Sequence, residues 1–151
     1  MRTAYLDTSS LIKRYVKEPG SEALDALYRG AERGETIITF SVWNIGEAFG
    51  ALDRKERLGQ IPKGSAAPAM KNMIGESLKM SRMNALRVAP LNLDALSESW
   101  RLTLKHHIYV ADALQISTAA HAEADIFLSP DKRLNEIAEA EGLKTTNDEE
   151  T

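Results

Sequence analysis

Asp7, Glu47, Asp112 and Asp131 stand where a carboxylate could do chemistry. Asp7 follows Tyr5-Leu6 and precedes the hydroxyl run Thr8-Ser9-Ser10. Asp112 lies in Val110-Ala111-Asp112-Ala113, and Asp131 in Leu128-Ser129-Pro130-Asp131. Each has an ordinary structural use. Asp7 suits an Asx-turn or a helix cap. Asp131 suits the positive end of a helix dipole, and Asp112 the first turn of a helix. Glu47 lies roughly 140° around its helix from Val42, off the apolar stripe and on the side of Trp43, Gly50 and Arg54. Gly46 and Gly50 flank it, and each glycine costs about 1 kcal/mol relative to alanine in a helix interior. They suggest a shallow strip where another backbone approaches Glu47. Clustered carboxylates repel one another, so such a group requires a cation or raised pKa values. A hard divalent ion, Mg²⁺ or Mn²⁺, fits a chain without cysteine. It would polarise a phosphate and activate bound water. His106 and His107 are adjacent and point apart on a helix, and His121 is isolated; all three read as structural or surface residues.

Positioning these acids needs strands that end where they begin to act. Thr3–Leu6 reads as a first strand, and Ser9 or Ser10 as the cap of a short helix reaching Val16 before Pro19-Gly20. Helices are expected at Ser21–Arg33, from Ser41 to about Leu58, from about Ala69 to Asn84, from Asn92 to His106, and at Ala111–His121 and Asp131–Glu141. Strands are expected at Thr36–Phe40, Ala85–Leu91, Asp125–Leu128 and, as a last edge, Leu143–Thr146. Gly59–Pro68 reads as a loop. Short strands separated by helices make an α/β domain with a mostly parallel sheet. Ligands of such sheets sit outside the carboxyl ends of the strands, where Asp7, Ser41, Ser129 and Asp131 fall.

The chain has 151 residues, 43% hydrophobic and 27% charged, which fits one globular domain. The formal net charge of −3 excludes a strongly basic nucleic-acid binder but leaves room for local basic patches. With no cysteine, disulfides, iron–sulfur clusters and thiol catalysis are excluded. No signal-peptide core precedes Asp7 and no apolar stretch is long enough for a membrane, so a soluble cytoplasmic protein is expected. Met70, Met73, Met80 and Met83 share a helical face with Ser77, either as core or as an adaptable surface. Lys13 and Arg14, just after Asp7, are the chosen candidates for holding a nucleic-acid backbone. A haloacid-dehalogenase-type phosphohydrolase would need a second aspartate where Ser9 stands, and neither phosphate-loop glycine motif occurs.

Four segments together are similar to the PIN-domain family, and within it to the VapC-like toxin ribonucleases of toxin–antitoxin pairs. They are Tyr5-Leu6-Asp7-Thr8-Ser9 with Leu11-Ile12-Lys13; Ser41-Val42-Trp43-Asn44-Ile45-Gly46-Glu47-Ala48; Ala111-Asp112-Ala113-Leu114-Gln115-Ile116; and Leu128-Ser129-Pro130-Asp131-Lys132-Arg133-Leu134. The resemblance implies that Asp7, Glu47, Asp112 and Asp131 form a catalytic Mg²⁺ or Mn²⁺ site, with Ser129-Pro130 departing from the family's usual threonine. It implies that Thr8 or Ser9 supplies a hydroxyl to the metal or its water. It further implies a three-layer sandwich of a mostly parallel sheet between helices, a homodimer, and an antitoxin whose tail crosses the active-site groove. The expected product ends are a 3′-hydroxyl and a 5′-phosphate.

The reading is therefore a single PIN-like domain over residues 1–146 with a frayed tail at 147–151. Its expected activity is metal-dependent cleavage of RNA phosphodiesters, with Thr8, Ser9, Lys13 and Arg14 contacting the substrate. The alternatives are a catalytically weak or inactive RNA- or partner-binding protein, and a Mg²⁺-dependent phosphohydrolase on another substrate.

Overall fold

Five short β-branched and aromatic runs pair into one parallel sheet in the computed structural model, which describes residues 1–149. The elements run β1 (Arg2–Leu6), α1 (Thr8–Ile12), α2 (Ser21–Glu32), β2 (Thr36–Ser41), α3 (Val42–Arg57), α4 (Ala66–Arg82), β3 (Leu86–Ala89), α5 (Leu93–His106), α6 (Val110–His121), β4 (Ile126–Leu128), α7 (Lys132–Ala140) and β5 (Thr145–Thr146). The strand order is β3-β2-β1-β4-β5. The chain winds outward from β1 through β2 to β3, then returns across β1 to build β4 and β5. The direction reverses between β1 and β4, and such a switch point opens a crevice at the strands' carboxyl ends.

Side chains alternate across a strand, so the sheet feeds two cores. On one face Leu6, Ile38, Phe40 and Leu128 pack with Leu11, Leu24, Tyr28, Ala48, Met73 and Met80 of α1 to α4. On the other, Tyr5 and Phe127 pack with Leu102, Ile116, Leu134 and Ile137 of α5 to α7. Tyr5 and Phe127 are register partners and their rings stack at 5.7 Å. This is the three-layer α/β arrangement expected, with a fully parallel sheet.

Several boundaries differ from the sequence reading for local reasons. Asp7, not Ser9 or Ser10, caps α1, accepting from the Ser10 N–H, and α1 ends at Ile12. The helix α4 begins at Ala66, because Pro68 occupies its first turn, where no intrahelical N–H is needed. Val42 is 47% exposed and leaves the apolar stripe of α3 to Ile45, Ala48, Phe49 and Leu52. No atom lies within 4 Å of where a Cβ would stand on Gly46 or Gly50, so nothing approaches the expected strip. Met73, Ser77 and Met80 are buried core, while Met83 is exposed. The segment expected to fray instead returns to the body at Asp148, which is 1% exposed. The rest of that tail, residues 150–151, lies outside the described residues. Among the described residues no helix is long and apolar enough to cross a membrane.

Candidate active site

Three of the four acids meet at the carboxyl end of the sheet. Asp7 leaves β1, Glu47 stands in the second turn of α3 after β2, and Asp112 in the first turn of α6. They line one cleft of about 220 Å³ with Thr8, Ser9, Ala51, Gln115 and Leu134.

Asp7 is held from both sides. Its Oδ1 accepts from the Ser10 N–H at 2.7 Å and its Oδ2 from the Ser129 hydroxyl at 2.5 Å. Its own N–H donates to the Leu128 carbonyl, tying it to β4. Each carboxylate oxygen keeps a second lone pair for the cleft. Burial pushes Asp7 up to about 6, against the lowering effect of the Ser129 and Ser10 hydrogen bonds.

Glu47 is fixed through one oxygen. Its Oε1 accepts from the Thr8 hydroxyl and from the Gln115 amide, each at 2.8 Å. Beneath it lies a buried polar network. Gln115 Oε1 accepts from the Tyr5 hydroxyl at 2.8 Å and from Asn44 Nδ2 at 2.9 Å. Asn44 Oδ1 accepts from the Ser41 N–H, completing the capping box of α3. Burial raises the pKa of Asp112, and the charges of Asp131 and Glu47 raise it further. Asp112, Asp131 and Glu47 thus share one field, although they come from separate parts of the chain.

Asp131 is brought near but not in. It caps α7 by accepting from the Leu134 N–H at 3.1 Å, is exposed, and does not line the cleft. Lys13 and Arg14 are not brought to the cleft as free cations. Lys13 is 4% exposed and bound to Asp148 at 2.6 Å and Glu149 at 2.9 Å. Burial pulls its pKa down, but the hydrogen bonds and charges of these acids outweigh that, and it stays raised. Arg14 pairs with Glu76 and Asp25 and lies over the Tyr28 ring. Thr8 and Ser9 do line the cleft, Thr8 through its bond to Glu47 and Ser9 at the exposed mouth.

Sequence reasoning missed Asn44, Gln115, Tyr5 and Ser129 as supports. Gln115 follows Asp112 by three and Asn44 precedes Glu47 by three, so each shares a helix side with an acid. That spacing was the available signal. Replacing Gln115 with leucine takes one acceptor from the Tyr5 hydroxyl, which keeps Asn44 Oδ1, and one from the Asn44 amide, which keeps the Leu6 carbonyl and Thr8 Oγ1; each lost hydrogen bond costs about 0.5–1.5 kcal/mol. It also removes one of the two donors that fix Glu47 Oε1, leaving the Thr8 hydroxyl. Gln115→Leu is expected to lower the melting temperature and weaken Mn²⁺ binding about tenfold; calorimetry reads both, and wild-type Mn²⁺ affinity would contradict this role.

The donor set suits a hydrated hard cation. The cleft offers carboxylate and hydroxyl oxygens and neither sulfur nor imidazole. Among the described residues no group of three or more acidic, cysteine or histidine side chains is placed to hold a metal ion between them. Mg²⁺ does not require one, since it keeps several waters and takes one or two carboxylates directly. Asp7, Glu47 and Asp112 line the cleft that could supply those one or two carboxylates.

The PIN domain family model matches residues 4–140. Among curated protein sequences, none matches this chain. Three solved structures are similar in fold. PAE2754 from Pyrobaculum aerophilum aligns with a TM-score of 0.65 at 18% identity, over 99% of this chain and 91% of that one. VapBC2 from Rickettsia felis, bound to a DNA fragment from their promoter, aligns with a TM-score of 0.65 at 14% identity, over 96% and 98%. Mycobacterium tuberculosis VapC20, a sarcin–ricin loop cleaving toxin, aligns with a TM-score of 0.62 at 14% identity, over 93% and 95%.

Proposed function

This chain belongs to the PIN domain family, and on that footing we propose that it is a Mg²⁺- or Mn²⁺-dependent endoribonuclease, the toxin of a toxin–antitoxin pair. The observation that supports the reading best is the convergence of Asp7, Glu47 and Asp112 on one cleft at the switch point of the sheet. The fold neighbours include VapC20, described as a sarcin–ricin loop cleaving toxin, and two DNA-bound structures, VapBC2 and FitAB.

In this mechanism Asp7, Glu47 and Asp112 would hold the cation, and Asp131 would add negative charge from beside the cleft. When bound, the ion polarises the phosphodiester, lowers the pKa of a water and stabilises the leaving oxygen. The Ser10 N–H and Ser129 hydroxyl keep Asp7 aimed, while Thr8 and Gln115 fix Glu47 Oε1 and leave Oε2 to the cleft. Ser9 at the mouth is placed to donate to a phosphate oxygen. In-line displacement would leave a 3′-hydroxyl and a 5′-phosphate. With Lys13 and Arg14 consumed in ion pairs, the exposed Lys132 and Arg133 beside Asp131 take over backbone binding.

The remaining partners follow the same reading. A cytoplasmic antitoxin protein would cover the cleft. A second copy of the chain would cover the face of α5 that exposes Leu93, Trp100 and Leu104, three large apolar residues seven and four apart.

End-labelled single-stranded RNA incubated with the purified protein in EDTA, Mg²⁺ or Mn²⁺ tests the function. Cutting is expected only with metal, and the eluted mass of the same preparation checks the homodimer. A folded, partner-free protein that cuts under no condition would instead favour a binding role or another phosphate substrate.

A further inference from the structure

The end of the chain is built into the support of Asp7. β5 pairs with β4, and the Ser129 N–H donates to the Thr146 carbonyl at 3.2 Å. Ser129 is the residue whose hydroxyl holds Asp7 Oδ2. Past β5 the chain turns at Asn147, whose Oδ1 accepts from the Glu149 N–H, and lowers Asp148 onto α1. There Asp148 Oδ2 accepts from the Ser10 hydroxyl and Oδ1 from Lys13 Nζ. Ser10 is the residue whose N–H holds Asp7 Oδ1. One strap of four residues therefore touches both partners of the same carboxylate.

The fit of the strap is specific. Ser10, Lys13 and Asp148 are 0%, 4% and 1% exposed. Gly20 makes room for them. It has φ +95°, and a Cβ there would stand 2.9 Å from Asp148 Oδ1 and 3.0 Å from Lys13 Nζ. A buried ion pair is a poor way to gain stability alone, since well-packed apolar residues often serve as well or better. What it supplies is fixed geometry, because both charges must stay where their partners are.

We infer that Asp148, locked by Lys13 and Ser10, is a positioning residue for Asp7, and that the C-terminal strap sets the metal affinity of the cleft. The inference rests on the reading of Asp7 as a metal ligand. Removing the strap's grip leaves Asp7 in place chemically but lets α1 shift under it. Partners that orient a metal ligand are worth about 10–100-fold in metal affinity or activity when lost.

The test compares wild type with two variants that fail in different ways. Lys13→Gln/Asp148→Asn removes both buried charges together and keeps a hydrogen-bonding side chain at each position. Gly20→Ala keeps every charge and pushes Asp148 off its seat. Mn²⁺ affinity is read by calorimetry, and kcat and KM on single-stranded RNA by cleavage assay. Both variants are expected to bind Mn²⁺ about tenfold more weakly and to lose kcat about tenfold, with KM for RNA unchanged. Wild-type Mn²⁺ affinity in a folded variant overturns the inference, whatever happens to its melting temperature. If the charge-free pair does not fold, Gly20→Ala alone decides. A wild-type protein that neither binds Mn²⁺ nor cuts RNA overturns the nuclease reading first, and the inference with it.

Discussion

Asp7→Asn is expected to abolish metal-dependent RNA cleavage and, in metal-free buffer, to make the protein more stable. The two effects have one cause. Asp7 is 5% exposed, and burial raises its pKa to about 6 from 3.8. A carboxyl with a raised folded-state pKa contributes stability that is present below the unfolded value and lost as pH rises through the folded one. At neutral pH the charged form therefore costs the fold about 3 kcal/mol. Asparagine is neutral, and it keeps an oxygen to accept from the Ser10 N–H. At about 2–4 °C per kcal/mol for a chain of this length, and after some loss at Ser129, the gain should be roughly 5 °C. The gap between variant and wild type should open between pH 4 and 7 and close again in acid. Added Mn²⁺ should raise the wild-type melting temperature and leave the variant's unchanged, because only the charged site gains from the cation. Cleavage should fall by about 10²-fold or more, since several kcal/mol of transition-state stabilisation depend on the metal. Equal cleavage by the variant would remove Asp7 from the mechanism.

Lys13→Met should have the largest effect on stability alone. The substitution removes the Lys13 cation from the buried Asp148, and breaking a buried pair from one side costs about 3–5 kcal/mol. A fall in melting temperature of roughly 10 °C is expected. The loss should be nearly independent of added salt, because buried charges are poorly screened. An exposed phosphate-binding lysine would behave in the opposite way, with little change in stability and a weaker, salt-dependent grip on RNA. Thermal melts at low and high salt distinguish the two. By contrast, the exposed Arg57–Asp53 pair should contribute little to stability.

The acids themselves were legible in the chain because their placement is local. A strand ending at Leu6 puts Asp7 at its exit, the capping box of Ser41 and Asn44 starts α3, and Asn92 and Asp131 cap α5 and α7 by accepting from N–H groups three residues on. Alternation and helical period likewise gave the element order and the three layers, since both follow from bonds between near neighbours. The expected cluster held all four acids; strand ends pointed to Asp7 and Asp131, and the resemblance to the PIN-domain family joined Glu47 and Asp112 to them.

What the chain alone could not disclose is which long-range partner each side chain would find. Lys13 and Arg14 read as free cations beside Asp7. Lys13 instead meets Asp148, 135 residues away, and Arg14 meets Glu76, 62 away. The buried amides of Asn44 and Gln115 find each other across 71 residues. Asp131 is acidic and at a strand exit, yet its cap bond and the length of β4 leave it beside the cleft rather than in it. Local sequence determined the carboxylates, the elements that carry them and their common end of the sheet. Only tertiary packing decided which of them share a cleft and which cations are consumed. A charge pairs with whatever opposite charge the fold brings within hydrogen-bond reach, and that distance is set by the whole sheet rather than by spacing along the chain.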